Sequence, residues 1–159
     1  MDKRMMTQAR SASARSVVLV IDDDLAVRNS LKFALEVEGF FVQVYPTGKA
    51  LLDEDDMPKR GCVVADYNMP GLNGLDLLQL LRERDVELPA ILITSHPTAA
   101  IRGRATSAGV RLIEKPLLND TLFQCIRSVL SNRQDKPGAN PLCMGTAASR
   151  RRGTGRDPR

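Results

Sequence analysis

The chain has 159 residues, of which 43% are hydrophobic, so its length and composition allow one domain of ordinary size with its own core. The formal net charge of +4 is uneven, because residues 1–16 carry +3 and residues 131–159 carry +5, which leaves −4 for the residues between them. The acidic centre argues against a nucleic-acid-binding core. The absence of an apolar run of ~18–20 residues argues against a membrane span. The three cysteines include no close pair, which fits a reducing cytoplasm.

Both ends of the chain differ in composition from its centre. Residues 1–16 are polar and rich in Ser, Ala and Arg, which indicates a flexible basic leader. Residues 132–159 are rich in Pro, Gly and Arg and poor in large apolar side chains, so we expect a disordered basic tail. Residues 17–131 are the predicted domain.

Within that domain, short apolar runs alternate with segments of helical periodicity. In chain order, the predicted elements are strand Val17–Ile21, helix Leu25–Glu38, strand Phe41–Tyr45, helix Gly48–Glu54, strand Cys62–Ala65, helix Gly74–Arg84, strand Ala90–Ile93, helix Thr98–Ala108, strand Arg111–Glu114 and a last helix capped by Asn119 or Asp120. The first, third and fourth strands are unbroken apolar runs, which is typical of strands buried on both faces of a parallel sheet. The fourth helix is the weakest, because Gly103 lies in its interior.

This βαβαβαβαβα order predicts an α/β fold. Right-handed crossovers between parallel strands place helices on both faces of a doubly wound sheet. In such folds, ligand sites lie at the carboxyl ends of the strands.

Polar side chains gather where the predicted strands end. Asp22 and Asp23 follow the first strand, Asp66 the third, Thr94 the fourth and Lys115 the fifth, so we expect these side chains to meet at one edge of the sheet. Carboxylates that lie so close together cannot all stay ionised without a cation, and oxygen ligands suit Mg²⁺. The cluster therefore predicts in-line attack by the third-strand carboxylate on phosphorus, with the hydroxyl and the ammonium stabilising charge on the phosphoryl oxygens.

Four motifs occur in order along residues 17–131: VLVIDDD, VVADYNMPGLNGLDLL, ILITSH and IEKP. Together they resemble the receiver domain of bacterial two-component response regulators, and the FixJ-type receivers in particular. The resemblance implies a flavodoxin-like five-stranded sheet with strand order 2-1-3-4-5. It also implies a phosphoacceptor signalling domain that catalyses only its own phosphorylation and dephosphorylation, with a sensor histidine kinase or phosphotransfer protein as donor.

The resemblance also implies a role for each matched residue. By position, Asp66 resembles the phosphoacceptor and a metal ligand, Asp23 the direct Mg²⁺ ligand, Asp22 a ligand acting through water, Asn68 a ligand through its main-chain carbonyl, Thr94 the switch hydroxyl, and Lys115 the phosphate-contacting lysine that precedes a cis peptide bond to Pro116. Asp24, the third consecutive acid, is expected to be peripheral.

The chain departs from the family in two respects. Leu112 occupies the position, three residues before the lysine, at which the family often has an aromatic that moves on activation. No DNA-binding or enzymatic pattern follows Leu130, so we expect a stand-alone receiver that signals by protein–protein contact. The expected downstream surface comprises Thr98–Ala108, Arg111–Glu114 and Asn119–Leu130, and a homodimer is possible.

Other functions stay open on the sequence alone. The basic tail, with its run Arg150–Arg152, is compatible with a nucleic-acid-associated regulator, although no helix-turn-helix pattern supports specific readout. A phosphoryl sink without a downstream target is another alternative. A haloacid-dehalogenase-type phosphatase is disfavoured, because Asn68 replaces the second acid that its chemistry needs. His96 is expected to be a loop residue near the rim of the site, and Cys62 and Cys125 to be packing residues.

Overall fold

The computed structural model describes residues 16–117 and 120–134, with side chains up to residue 131; the other positions lie outside the described residues. The elements are β1 (Val17–Ile21), α1 (Leu25–Val37), β2 (Phe41–Tyr45), α2 (Gly48–Leu52), β3 (Gly61–Asp66), α3 (Gly74–Glu83), β4 (Ala90–Thr94), α4 (Ala99–Ser107), β5 (Arg111–Glu114) and α5 (Thr121–Gln134). Every predicted strand and helix is present, and the differences are of one to three residues at the ends of elements.

The five strands form one parallel sheet in the order β2-β1-β3-β4-β5, which confirms the predicted topology. In the centre of the sheet, Val17 of β1 lies opposite Gly61 of β3, and Val63 of β3 lies opposite Ala90 of β4. All residues of β3 and β4 are buried, which explains why their sequences are unbroken apolar runs rather than alternating ones.

Two apolar layers cover the sheet, one on each face. On one face, α2, α3 and α4 pack against alternate strand residues such as Leu19, Val63 and Leu92. On the other face, α1 and α5 pack against the intervening residues, such as Val64 and Ile91. Because side chains along a strand alternate between faces, each buried strand contributes to both layers.

The helix ends follow local capping chemistry. The side chains of Asp24, Thr47, Asn73 and Thr98 accept backbone N–H groups at the first turns of α1, α2, α3 and α4. The first four helices end one or two residues before their predicted ends, because the residues that directly follow them are cap or turn residues instead.

The last helix runs further than the predicted domain end at residue 131. It begins at Thr121, after Asp120, whose carbonyl accepts the N–H of Gln124, and it is helical up to Gln134. The predicted leader (residues 1–16) lies outside the described residues except for its last position, and so does the predicted tail after residue 134. Among the described helices, none has the length and apolarity needed to cross a bilayer.

Candidate functional site

Three carboxylates meet where β1 and β3 end. One oxygen each from Asp22, Asp23 and Asp66 lies within 4.8 Å of the other two. Asp22 and Asp66 are buried, whereas Asp23 is exposed, so the cluster opens to solvent on one side. Adjacent parallel strands place their carboxyl ends at the same edge, which is why residues more than 40 positions apart come together.

Lys115, which follows β5, joins this cluster. Its Nζ lies 2.9 Å from Asp66 Oδ2 and 3.7 Å from Asp22 Oδ2. Its backbone N–H donates to the Thr94 carbonyl at 2.8 Å, which holds the lysine beside the end of β4. The Lys115–Pro116 peptide bond is cis, as the resemblance implies.

Both buried carboxylates are held by their own loops as well. Asp22 Oδ1 accepts the N–H of Asp24 at 2.9 Å, and Asp66 Oδ1 accepts the N–H of Asn68 at 3.1 Å. In each carboxylate the other oxygen, Oδ2, faces Lys115. Backbone N–H donors and the Lys115 ammonium group therefore stabilise the negative charge of the two buried acids.

The electrostatics of the cluster show an excess of negative charge. Burial raises the pKa of Asp22 above its usual value, and the neighbouring carboxylates of Asp66 and Asp23 add to the increase against the lowering effects of the Asp24 N–H and Lys115. Burial by itself lowers the pKa of Lys115, but the combined effect of Asp66 and Asp22 outweighs it and the pKa is raised. The lysine is thus held as an ammonium, and a further cation in the cluster would relieve the remaining repulsion.

The donor set fits a hard divalent cation. All three side chains offer carboxylate oxygens, which is the ligand type that Mg²⁺ takes in proteins. The exposure of Asp23 leaves room for water ligands, which Mg²⁺ retains.

Thr94 and His96 lie at the end of β4. The Thr94 side chain is fully buried, and its hydroxyl accepts the backbone N–H of His96 at 3.4 Å. The His96 side chain is exposed, as expected for a loop residue. Asn68 is exposed, and it contacts Asp66 through its N–H.

Two residues that shape the site carry roles that sequence reasoning missed. Asp24 is the N-cap of α1, and its Oδ1 accepts the N–H groups of Ala26 at 2.8 Å and Val27 at 3.2 Å. Gly74 begins α3 so close to the site that an added Cβ would lie 2.7 Å from the Asp66 carbonyl oxygen. The N-cap role of Asp24 could have been predicted from its position directly before an apolar helical segment. The close approach of Gly74 to Asp66 could not have been predicted, because the sequence shows only a glycine at the start of a helix.

A cavity of about 230 Å³ lies elsewhere, between α2, the loop that follows it and α3. Its lining includes Leu51, Met57, Leu81 and Val86 but none of the predicted site residues. The carboxyl edge is open to solvent at Asp23, which is exposed.

Cys62 and Cys125 are buried free thiols, which confirms their expected packing role. Burial raises the pKa of Cys62 to about 12, with a smaller contribution from the neighbouring Cys125. Because the thiolate is the reactive form, Cys62 is poorly suited to nucleophilic chemistry.

Comparison with known proteins agrees with the resemblance seen in the sequence. Residues 18–127 match the family described as "Response regulator receiver domain". The transcriptional regulatory protein FixJ of Bradyrhizobium diazoefficiens is 37% identical over 123 residues, which are 77% of this chain and 59% of that protein. The crystal structure of FixJ-N is similar with a TM-score of 0.68 at 31% identity, covering 73% of this chain and 94% of that one.

A solved structure of the response regulator TrrA from Thermotoga maritima, in complex with Mg²⁺–BeF, is also similar. Its TM-score is 0.62 at 25% identity, with 72% of this chain and 99% of that chain covered. The chain spans about half the length of the FixJ relatives it matches.

The fold and the family predictions are therefore confirmed. The comparisons give no support to a nucleic-acid-associated regulator or to a phosphoryl sink, and the arginine run of the former lies outside the described residues. A 2-1-3-4-5 parallel sheet and a family match over most of the described residues lead to one conclusion: the chain belongs to the receiver domains of two-component response regulators.

Proposed function

We propose that Asp66 accepts a phosphoryl group from a sensor histidine kinase or a phosphotransfer protein, and that the phosphorylated domain signals by contact with a downstream protein. The observation that carries this proposal is the position of the Asp66 carboxylate. It lies beside two further acids and 2.9 Å from the Lys115 ammonium, at the carboxyl edge of a receiver-type sheet.

The chemical step needs one nucleophilic oxygen and an in-line donor. An oxygen of the Asp66 carboxylate forms a bond to phosphorus while the phosphorus–nitrogen bond of the donor's phosphohistidine breaks. The electron pair of that bond goes to the imidazole. The product is an aspartyl phosphate, which water later hydrolyses to the free carboxylate and inorganic phosphate.

The three carboxylates fit Mg²⁺, with Asp23 and Asp66 as direct side-chain ligands, Asp22 as a ligand through water and Asn68 as a main-chain carbonyl ligand. Bound there, the cation supplies charge neutralisation for the incoming phosphoryl group. The mixed exposure of the three acids supports this assignment, because the exposed side admits both water and the phosphodonor.

Lys115 and Thr94 complete the proposed site. The ammonium now shared by Asp66 and Asp22 is close enough to contact a phosphoryl oxygen attached to Asp66. Thr94 ends the strand beside β3, and its hydroxyl exchanges its contact with the His96 N–H for one with the phosphoryl group. Leu112 is half-buried against the layer that contains α4, so we propose that the response is a repacking of α4 and its loop without an aromatic rotation.

The downstream partner is proposed to bind the face formed by residues 98–108, 111–114 and 119–130, of which residue 119 lies outside the described residues. We also propose a cytoplasmic protein with residues 17–131 as the receiver unit. The two free thiols in the described part of the chain support a reducing compartment.

The test is labelling of the full chain with acetyl phosphate and Mg²⁺, followed by intact-mass measurement. We expect a gain of one phosphoryl group, which EDTA blocks and Asp66→Asn removes. Asp55→Asn, an exposed acid outside the site, is the matched control and retains the gain. Equal labelling of Asp66→Asn and wild type would show that the acceptor is another residue.

A second variant separates the lysine from the metal ligands. Lys115→Ala removes a cation that faces two of the carboxylates, so Mg²⁺ affinity is expected to rise while labelling falls. Titration of the full chain with Mg²⁺ measures the first effect. A loss of Mg²⁺ affinity in this variant would contradict the proposed arrangement.

A further inference from the structure

The cavity of about 230 Å³ has no part in the carboxyl-edge site. Its apolar lining comes from Leu51 and Leu52 at the end of α2, Met57 in the following loop, Leu81 near the end of α3 and Val86 just after α3. Both helices lead from a carboxyl strand end back to an amino strand end, so their last turns lie toward the amino edge of the sheet. We call this space the amino-edge cavity.

The mouth of the amino-edge cavity is acidic. Glu54 and Asp55 are exposed residues of its lining, and they belong to a run of four consecutive acids, residues 53–56. Within the described part of the chain, none of these four acids forms an ion pair. Their negative charge is therefore available to a cationic occupant.

The basic residues near the mouth do not cancel this charge. Arg84 also lines the cavity, but its guanidinium donates to the Leu52 carbonyl. With all bases included, residues 53–60 carry a net charge of −2 and residues 82–87 a net charge of −1. An occupant with an apolar part and adjacent positive charge would be complementary to both the lining and the mouth.

The size of the amino-edge cavity suits side chains rather than a whole small-molecule ligand. Sites for such ligands usually have volumes of ~300–1,000 Å³. A cavity of ~150 Å³ already takes one benzene ring. A volume of about 230 Å³ therefore matches one or two apolar side chains. Methionine is well suited to this use, because its unbranched side chain fills irregular apolar gaps.

The chain enters the sheet at the edge where this cavity lies. The N–H of Val17, the first residue of β1, donates to the Arg60 carbonyl at 3.2 Å, at the end of the loop that carries the four acids. The Val17 side chain packs against the same apolar layer as Leu52 and Met57, which line the cavity. The segment before Val17 thus starts next to the cavity loop.

The sequence of the leader, residues 1–16, has the complementary pattern. Met5 and Met6 are adjacent, and Lys3 and Arg4 directly precede them. Ten residues separate Met6 from Val17. They span at most ~33–36 Å when extended and roughly 16–19 Å as a flexible chain.

This reach is sufficient for the leader to arrive at the cavity. Met57 is three residues from Arg60, so the two Cα atoms are at most ~10–11 Å apart. Arg60 in turn is hydrogen-bonded to Val17. A flexible chain of the length of residues 7–16 exceeds this separation without being stretched.

We propose that the leader binds the amino-edge cavity of its own chain. The Met5 and Met6 side chains occupy the apolar space, and the charges of Lys3 and Arg4 face the acids of residues 53–56. A linker of this length gives an effective concentration on the order of mM, so a contact with a dissociation constant of about 1 mM is already formed about half of the time.

The segment after residue 134 is a poorer match. It follows α5, which packs on the other face of the sheet. Its large apolar residues include Leu142 and Met144, and no basic residue lies within five positions of either. The arginine run Arg150–Arg152 has no large apolar neighbour. The pattern of adjacent apolar and basic residues thus favours the leader.

Methyl NMR of the unphosphorylated full chain tests the docking, and its result is independent of the proposed phosphoryl transfer. With Met, Leu and Val methyl groups labelled, we expect NOE cross-peaks from Met5 and Met6 to Leu81 and Val86. Met5→Ser combined with Met6→Ser removes these peaks and shifts the two cavity resonances. Met144→Ser, a matched change outside the leader, leaves the peaks unchanged.

Charge reversal tests the acidic mouth. Lys3→Glu combined with Arg4→Glu is expected to lower the cross-peak intensity roughly threefold or more, because two attractive contacts become repulsive. Arg10→Glu combined with Arg15→Glu changes the net charge of the leader equally but lies away from the methionines. This matched control retains the peaks, and equal losses in the two variants would contradict the proposed arrangement.

A rescue and a mixing experiment complete the test. Glu54→Lys with Asp55→Lys, added to the Lys3→Glu and Arg4→Glu variant, restores opposite charges and is expected to restore the peaks. Mixing chains labelled only at Met with chains labelled only at Leu and Val detects contacts between copies, and docking within one chain gives no peaks there. Peaks in that mixture, or a wild-type chain without peaks between the leader and the cavity, overturn the proposal.

Discussion

Two consecutive helices on the same face of the sheet, α3 and α4, are attached in different ways. Four leucines of α3 are buried, Leu75, Leu77, Leu78 and Leu81, and Gly74 lets the start of the helix contact the backbone at Asp66. In α4 only Ala105 is buried, and Ile101 is partly buried. The buried side chains that anchor α3 are thus more numerous and larger than those that anchor α4.

Polar contacts provide much of what holds α4. Thr98 caps it, Arg104 pairs with Asp76 of α3 at 2.9 Å, and Arg102 pairs with Glu114 of β5 at 3.7 Å. Exposed ion pairs contribute little to stability, and their contribution falls with salt. Two helices of similar length can therefore differ in how much free energy a displacement requires. The helix next to Asp66 is therefore the more strongly anchored one, and α4, which forms part of the proposed downstream face, is the one that we expect to shift on phosphorylation.

The largest effect should come from the anchor of α3. Leu77→Ala removes a fully buried side chain and is expected to lower the free energy of unfolding by ~2–5 kcal/mol, because the packed surroundings cannot fill the cavity. Ile101→Ala in α4 should cost only about 1 kcal/mol. Urea denaturation of both variants measures the difference, and equal losses would remove the contrast between the helices.

Gly74→Ala tests the contact between α3 and the acceptor loop. The added Cβ would lie 2.5 Å from Leu92 Cδ1 and 2.7 Å from the Asp66 carbonyl oxygen, so the backbone has to move. We expect a loss of ~1–3 kcal/mol together with slower labelling of Asp66 by acetyl phosphate. Unchanged stability would mean that the start of α3 is free to move away from the site.

Gly103→Ala should act in the opposite direction. Nothing lies within 4 Å of the added Cβ, so the substitution raises helix propensity without a clash and stabilises α4 by up to about 1 kcal/mol. Gly109→Ala is the matched control, because its φ of +67° disfavours any side chain and the substitution should destabilise by roughly 1 kcal/mol. Thermal denaturation of the pair distinguishes a propensity effect from a general effect of alanine.

The smallest effect is expected at the exposed ion pair between the two helices. Arg104→Ala should lower stability by only ~0.2–1 kcal/mol at low salt, since both partners are about half exposed. In 1 M NaCl the difference from wild type should vanish. A loss that persists in high salt would point to packing by the arginine stem instead.

The local patterns were sufficient to predict which segments form strands and helices. The runs VVLVI, CVVA and AILI are apolar at every position, and this pattern is typical of strands buried on both faces of a parallel sheet. The predicted helix ends were less accurate than the predicted elements. A capping residue and the last helical residue differ in backbone conformation, which the sequence does not directly show. The weak attachment of α4 was partly visible in the sequence through Gly103 and the few large apolar residues.

The three consecutive acids show where sequence information ends. Asp22, Asp23 and Asp24 have the same side chain, and the sequence by itself determined only that negative charge follows the first strand. The tertiary structure made Asp22 a buried neighbour of Lys115, left Asp23 exposed and made Asp24 the cap of α1. The physical reason is that each of these environments is built by elements distant in sequence. Lys115 is 49 positions from Asp66, and only the parallel crossovers of the sheet bring the ends of β1, β3 and β5 to one edge.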